Sequence, residues 1–130
     1  MMENYSVVVE SFAQRHYIKK FEKKYHRAWD ITLRALVAQF ERIDMLLKKD
    51  VAETIVDGRR YKILKTQFSV AGTGKSPKSS GNRCIVAIEE SRRTVYVLLV
   101  YHKNDLSDGN ETAQWKKIVK DHYPEYRDML

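Results

Sequence analysis

The stretch at positions 82–102 decides the fold, and it reads NRCIVAIEESRRTVYVLLVYH. Two runs rich in valine, isoleucine, leucine and tyrosine flank a polar centre at positions 89–93. β-branched and aromatic residues favour strands, and a short polar segment between two such runs is typical of a hairpin. We therefore predict two adjacent antiparallel strands with their turn centred on Ser91 and Arg92.

Segments of similar composition precede this hairpin. Residues 54–56 and 60–68 are rich in isoleucine, valine, tyrosine and threonine, and the Asp57-Gly58 step between them suits a tight turn. Consecutive valines at positions 7–9 predict a further short strand. These segments extend the predicted sheet.

Two helices are predicted between the first strand and the rest of the sheet. Apolar residues recur at spacings of three and four over residues 12–25 and again over residues 29–47. The two apolar stripes would form a helical hairpin with one shared apolar face. A third helix is expected to start at the Asp108-x-x-Glu111 capping box and to end before Pro124.

The predicted fold class is α+β. A chain of 130 residues is long enough for one domain with a buried core, which we expect to span residues 1–130. The predicted order β-α-α-β-β-β-α packs the helical hairpin on one face of a mainly antiparallel sheet. No apolar run approaches the ~20 residues of a membrane-spanning helix, and the first residues lack the features of a secretory signal. We therefore expect a cytoplasmic protein.

Cysteine and histidine usage argues against disulfides, metals and cofactors. The single cysteine, Cys84, excludes an internal disulfide and a zinc site built from cysteines, and its apolar surroundings predict a buried thiol. The four histidines lack the paired spacing of metal ligands. We predict no bound metal and no cofactor.

The net charge of +7 is concentrated in two basic blocks. Residues 11–49 contain ten basic and four acidic side chains, and residues 59–103 contain ten basic and two acidic ones. Clustered lysine and arginine favour a phosphate-rich or acidic partner, although solvated helix faces also explain the first block.

The segment at positions 71–81, AGTGKSPKSSG, contains a Gly-Lys-Ser step but does not fit a phosphate-binding loop. That motif requires glycine where Ser69 stands and a helix directly after the loop, where Pro77 stands instead. We expect a flexible basic loop whose lysines, Lys75 and Lys78, either lie along a nucleic-acid backbone or are simply solvated.

The register of the hairpin determines which residues lie beside Arg83. An even-length turn would place Arg83 opposite Val100, with His102 as its neighbour on the same face. An odd-length turn would instead place Arg83 opposite Tyr101, with Lys103 as its neighbour on the same face. Both registers bring Arg83 and the end of the last strand to the open end of the hairpin.

The preceding strand adds further positive charge near this end of the sheet. Because it runs antiparallel to its neighbour, it would bring Lys65 towards Arg83, with Lys62 further along. Burying several like charges together is costly, so we expect a solvated cluster that is open to an anionic ligand.

These segments resemble the RelE/ParE superfamily of toxins from bacterial toxin–antitoxin modules. The resemblance covers most of the chain in element order. Its segments are YKILK at 61–65, GNR at 81–83, the acidic turn at 89–90, the apolar run at 95–100 and YHKND at 101–105. The resemblance implies an α+β toxin that cleaves mRNA, usually on the ribosome and without a metal, and that a cognate antitoxin neutralises. We expect the antitoxin to bind the sheet face that a one-sided helical hairpin leaves open.

The resemblance also implies roles for individual residues. Arg83 matches the key arginine and would stabilise charge on the reacting phosphate, while His102 and Lys103 match the catalytic histidine or cation that ends the last strand. The residues expected to bind RNA are Lys62, Lys65, Lys75 and Lys78. Since some members of this fold poison DNA gyrase, the alternative is a gyrase inhibitor or a basic nucleic-acid-binding module without nuclease activity.

Overall fold

The computed structural model describes residues 4–106 and 109–130, and it contains one five-stranded sheet. The strands are β1 (Ser6–Val9), β2 (Ala52–Asp57), β3 (Lys62–Phe68), β4 (Asn82–Glu89) and β5 (Thr94–His102). Their spatial order is β1-β5-β4-β3-β2, with β1 parallel to β5 and the other neighbours antiparallel. The predicted α+β class is confirmed. The four strand-forming segments predicted after the helices correspond to β2 to β5, so the order has four strands there rather than the three of the predicted order.

The helices lie between β1 and β2, in the β3–β4 loop and after β5. They are α1 (Ser11–Ala13), α2 (Lys19–Tyr25), α3 (Arg27–Glu41), α4 (Ile43–Leu46), α5 (Pro77–Ser80) and α6 (Glu111–His122). A π-helical segment, Gln14–Ile18, joins α1 to α2, and the last 3₁₀ segment covers Pro124–Met129. Within the described residues, no helix has the length and apolar character needed to cross a membrane.

Apolar residues form two cores, one on each face of the sheet. The first lies between the sheet and the helices α2 to α4, and Trp29 and Phe40 belong to it. The second lies beneath α6 and the Pro124–Met129 segment, and it contains Leu99 and Trp115. The expectation of an open sheet face is wrong, because α6 and the segment after it bury the face opposite the helical hairpin.

A β-bulge at Leu98 sets the register of the central hairpin. From the turn as far as Val86, which pairs with Val97, the strands follow the even-length register. The next pair joins Ile85 to Leu99, so Leu98 is an extra residue in β5. Beyond the bulge, β5 is displaced by one residue relative to the even-length register.

Two local predictions change in detail. The loop at 71–81 was expected to be irregular, but it contains α5, whose N-terminus is capped by the Ser76 side chain. Helix α6 begins at Glu111 and is capped by the side chain of Asn110. The predicted cap, Asp108, lies outside the described residues.

Candidate functional site

The side chains of Arg83 and His102 lie on opposite faces of the sheet. Arg83 pairs with Tyr101, and the neighbouring pair joins Asn82 to His102. Since successive side chains of a strand alternate between faces, Arg83 and Tyr101 lie on the α6 face, whereas Asn82 and His102 lie on the helical-hairpin face. The even-length register, in which His102 would be a neighbour of Arg83 on the same face, is therefore wrong at this end of the hairpin. The pairing of Arg83 with Tyr101 is that of the alternative register, and the bulge at Leu98 produces it by displacing β5 by one residue.

On the α6 face, polar side chains surround one carboxylate oxygen. The Tyr101 hydroxyl donates to Glu111 Oε2 at 2.7 Å, and Lys65 Nζ lies 3.1 Å from the same oxygen. The positive charge of Arg83 acts on both Tyr101 and Glu111. We call Lys65, Arg83, Tyr101 and Glu111 the Glu111 cluster.

The Glu111 cluster keeps its carboxyl group ionised and its phenol protonated. Burial alone would raise the pKa of Glu111, but hydrogen bonds from Tyr101 and Lys65, together with the charges of Lys65 and Arg83, lower it. Burial, followed by the hydrogen bond to Glu111, raises the pKa of Tyr101 well above its usual range. The cluster thus directs the Lys65 ammonium and the Tyr101 hydroxyl towards one anionic oxygen, and the charge of Arg83 acts on the same group, which suits a carboxylate or a phosphate.

Arg83 is buried within this arrangement. Its exposed fraction is 8%, and its Nη1 donates to the carbonyl oxygen of Asn82 at 3.0 Å. The side chain of Lys65 is 18% exposed. The expectation of a solvated cluster is wrong here, because Glu111 supplies the negative charge that makes burial of these cations tolerable.

His102 is held by backbone groups through both ring nitrogens. Its Nε2 lies 3.1 Å from the carbonyl oxygen of Ser80, and its Nδ1 accepts from the backbone N–H of Asn104 at 3.1 Å. These partners fit a neutral ring with its proton on Nε2, which donates to Ser80. Gly81 makes room for the ring, since a Cβ atom at this position would lie 2.6 Å from Nε2. His102 therefore has a structural role at the end of β5.

The other predicted cations are dispersed. Lys62 lies at the far end of β3, where its Nζ is 2.6 Å from a carboxylate oxygen of Glu90. Lys78 forms an exposed ion pair of 2.7 Å with Asp50. The side chains of Lys75 and Lys103 are exposed. Of the predicted RNA-binding lysines, only Lys65 lies with Arg83.

The sequence interpretation missed Glu111 and the cavity-lining residues on the other face, Lys20, Lys24 and Asn82. The spacing of Lys20 and Lys24 places both on one face of a helix, which was a usable signal. No local signal links Glu111 to Lys65, because they meet only when α6 packs on the sheet.

The described residues provide no obvious metal centre or reactive thiol. No group of three or more histidine, cysteine, aspartate or glutamate side chains within them is placed to hold a metal ion. Cys84 is fully buried as predicted, and burial raises the pKa of its thiol to about 12.

Comparisons with family models, curated proteins and solved structures found no match to this chain. The fold and the side-chain geometry therefore carry the functional argument, and the RelE/ParE resemblance serves as a hypothesis.

Proposed function

We propose that the protein is a RelE-type toxin that binds mRNA on the ribosome and cleaves it without a metal ion. The observation that supports this most is the contact of Lys65 and Tyr101 with one oxygen of Glu111, beside Arg83. A phosphate oxygen of RNA can replace this carboxylate oxygen, because both are anionic acceptors. The Glu111 cluster is the proposed phosphate site, and Glu111 occupies it until RNA takes its place.

The proposed reaction is attack of a ribose 2′-oxygen on the adjacent phosphorus. A new P–O bond forms while the bond to the 5′-oxygen breaks, which leaves a 2′,3′-cyclic phosphate and a 5′-hydroxyl group. The proton lost by the 2′-hydroxyl balances the one gained by the 5′-oxygen. Negative charge grows on the non-bridging oxygens, where Arg83 and Lys65 would stabilise it and the Tyr101 hydroxyl would donate a hydrogen bond.

The proposed roles of the remaining residues follow from their positions. His102 is given no proton-transfer role, since both of its ring nitrogens have backbone partners. Lys75 and Lys103 have exposed side chains and would contact the RNA backbone. In this proposal Arg83 and Lys65 bind the reacting phosphate, and His102 takes no part in the reaction.

A toxin of this kind would act in the cytoplasm and would be neutralised by a cognate antitoxin. The net charge of +7 favours an acidic partner. Because helices cover both faces of the sheet, we propose that the antitoxin contacts a sheet edge, the basic end of the sheet or the helices themselves.

Primer extension on mRNA during cell-free translation tests the proposed site. The variants are Lys65→Ala and Arg83→Lys, with Lys62→Ala as a matched control on the same strand. Loss of one preorganised donor is expected to slow cleavage by about 10²–10³-fold, whereas the control should retain most activity. Folded Lys65→Ala and Arg83→Lys proteins with wild-type rates would refute the site.

Metal independence needs its own measurement. Free RNA is the substrate for this test, because ribosomes themselves require Mg²⁺, and the slower basal cleavage of free RNA by the purified protein should persist in excess chelator. Complete loss of this cleavage, restored by Mg²⁺, would contradict the proposal.

The second candidate is a gyrase inhibitor or nucleic-acid-binding module without nuclease activity. Burial of Arg83 and the engaged ring of His102 favour it, because such a protein needs a basic surface but no free proton-transfer group. A supercoiling assay with DNA gyrase, run beside primer extension, separates the two. Inhibited supercoiling with intact mRNA would replace the leading proposal.

A further inference from the structure

A cavity of about 450 Å³ opens at the end of the sheet on the helical-hairpin face. It lies between α2 and the ends of β4 and β5, on the opposite side of the sheet from the Glu111 cluster. Its volume falls in the range of about 300–1,000 Å³ that is typical of small-ligand sites. We call it the Asn82 cavity.

The Asn82 cavity has a basic wall formed by α2. Lys20 and Lys24 line it one helical turn apart, both side chains are exposed, and neither forms an ion pair among the described residues. Lys24 Nζ lies 5.2 Å from the centroid of the Tyr25 ring. Among the described residues, Asp105 is the only acidic one in the lining. This charge distribution favours an anionic group beside α2.

Asn82 supplies an unsatisfied hydrogen-bond acceptor in the wall. Its residue is 4% exposed, and its Oδ1 has no hydrogen-bond partner. An unpaired buried polar atom is unfavourable, because it has given up its hydrogen bonds to water without gaining a partner in the protein. The terminal torsion of asparagine is soft, so the amide can turn its oxygen towards a donor that enters the cavity.

His102, which also lines the cavity, is already engaged by backbone groups. His102 bonds to Ser80 through Nε2 and to Asn104 through Nδ1, so its ring is fixed and has no free donor for Asn82. A ligand that enters the cavity can supply the donor that Asn82 Oδ1 lacks. Tyr25 adds a half-buried aromatic ring to the same lining, which suits a planar group.

We infer that the Asn82 cavity binds one unpaired nucleotide. A nucleotide combines the required features, since its base offers N–H donors to Asn82 and a planar face to Tyr25, and its phosphate pairs with Lys20 and Lys24. The inference rests on the proposed function in taking this nucleotide from the bound RNA strand. A free mononucleotide has the same chemistry, and the experiment distinguishes the two sources.

Binding of a 2′-O-methyl RNA hexamer and of the four nucleoside 5′-monophosphates tests the inference. The hexamer lacks reactive 2′-hydroxyl groups, so its binding is measured whether or not the protein is a nuclease. Fluorescence anisotropy follows the hexamer, and NMR shifts of the side-chain amide of Asn82 follow the mononucleotides. The variants are Asn82→Ala, Lys20→Ala and Lys24→Ala, with the exposed Lys23→Ala as a matched control on α2.

Asn82→Ala is expected to weaken hexamer binding about five- to tenfold, which corresponds to one buried hydrogen bond. Lys24→Ala and Lys20→Ala should weaken it and reduce its dependence on salt, whereas Lys23→Ala should change it less than twofold. Saturable shifts of the Asn82 amide signals on addition of mononucleotides would show that the cavity also binds free nucleotides. Shifts with the hexamer alone would assign the cavity to an RNA strand.

Several results would overturn the inference. Equal losses in Lys23→Ala and Lys24→Ala would show that only the overall charge matters. Wild-type binding by Asn82→Ala, or equal competition by a glutamate-rich peptide, would exclude recognition of a base. The proposed function can fail separately. Hexamer binding that Asn82→Ala weakens, in a protein that does not cleave mRNA, would contradict the nuclease proposal and leave this inference standing, because the two sites lie on different faces.

Discussion

Arg83 and His102 leave the same end of the central hairpin in opposite directions, Arg83 towards α6 and His102 towards α2. The sheet lies between their side chains. A catalytic set that combined the two would have to act on one phosphate from both faces at once. Their roles are therefore separate, and each can be tested on its own.

His102→Ala should lower stability more than activity. The substitution removes the ring that bonds to the carbonyl of Ser80 and the N–H of Asn104. We expect the free energy of unfolding to fall by about 1–3 kcal/mol and the cleavage rate of the folded protein to stay within a few-fold of wild type. Urea unfolding and single-turnover cleavage measure the two effects. A rate loss of about 10²–10⁴-fold in folded protein would instead restore a proton-transfer role.

Glu111→Gln should strengthen RNA binding. The substitution removes the carboxylate charge that pairs with Lys65, and an RNA phosphate no longer has to displace an anion. We expect the dissociation constant to fall by about three- to tenfold at low salt. Asp121→Asn is the matched control, because it makes the same charge change on the exposed face of α6 beside Lys117. Equal gains in both variants would mean that net charge alone explains the effect.

Gly81→Ala should be more destabilising than Gly72→Ala. Both glycines have a left-handed backbone, with φ of 81° at Gly81 and 80° at Gly72, so alanine brings a similar strain of about 1–2 kcal/mol at each. A Cβ atom at Gly81 would also lie 2.6 Å from His102 Nε2, whereas Gly72 has no atom nearby within 4 Å. The extra loss at Gly81 is expected to be about 1–3 kcal/mol. Denaturant unfolding of the two variants gives the difference, and equal losses would contradict the close packing of His102.

Glu89→Gln should reduce the stability of the fold at neutral pH and make that stability depend less on pH in the acidic range. Glu89 is 2% exposed and accepts from Arg60 Nε at 2.9 Å and from the Tyr96 hydroxyl at 3.0 Å. The hydrogen bond from Arg60 is the main cause that lowers the pKa of Glu89 below its ordinary 4.5. The carboxylate therefore stabilises the fold above about pH 4.5, and this stabilisation is lost as the pH falls through the lower, folded-state value.

The matched control for Glu89→Gln is Glu90→Gln. Glu90 is the next residue, but its side chain is 58% exposed and pairs with Lys62 at the surface. Thermal melts of both variants between about pH 3 and about pH 7, a range that spans the ordinary pKa of carboxyl groups, check the prediction. Identical melting curves for the two variants would contradict it.

The central hairpin could be predicted because its signals are local. The polar turn before Thr94 and the strand-forming runs on either side fix which segments pair. The same holds for the helical hairpin, whose stripe from Trp29 onwards follows helical spacing and packs in the first core. These elements depend mainly on residues close together in the chain.

The face on which each β5 residue lies could not be predicted. The run from Val95 to Tyr101 is apolar throughout, since helices cover both faces of the sheet and no alternation marks one of them as exposed. The bulge at Leu98 is invisible in such a run, because Leu98 and Leu99 suit the second core equally. The extra residue in β5 decides between the two predicted registers and places His102 on the face opposite Arg83.

The Glu111 cluster could not be predicted from the sequence for a different reason. Lys65 and Glu111 are 46 positions apart, and their contact depends on where α6 packs against the sheet. The sequence therefore predicts a solvated Lys65, because the carboxylate that neutralises it comes from a distant element. The sequence indicated the cations but not the carboxylate that holds them.

The position of β5 in the sheet has a consequence for how the protein is made. β5 lies between β1 and β4, and β1 finds its partner only when Ser6 aligns with Thr94. In a chain that emerges from the ribosome, β1 therefore remains unpaired until β5 has been synthesised. Since Tyr101 and His102 both belong to β5, neither the Glu111 cluster nor the Asn82 cavity can exist in the incomplete nascent chain. Both proposed sites would therefore form late in translation, after β5 and α6 have left the ribosome.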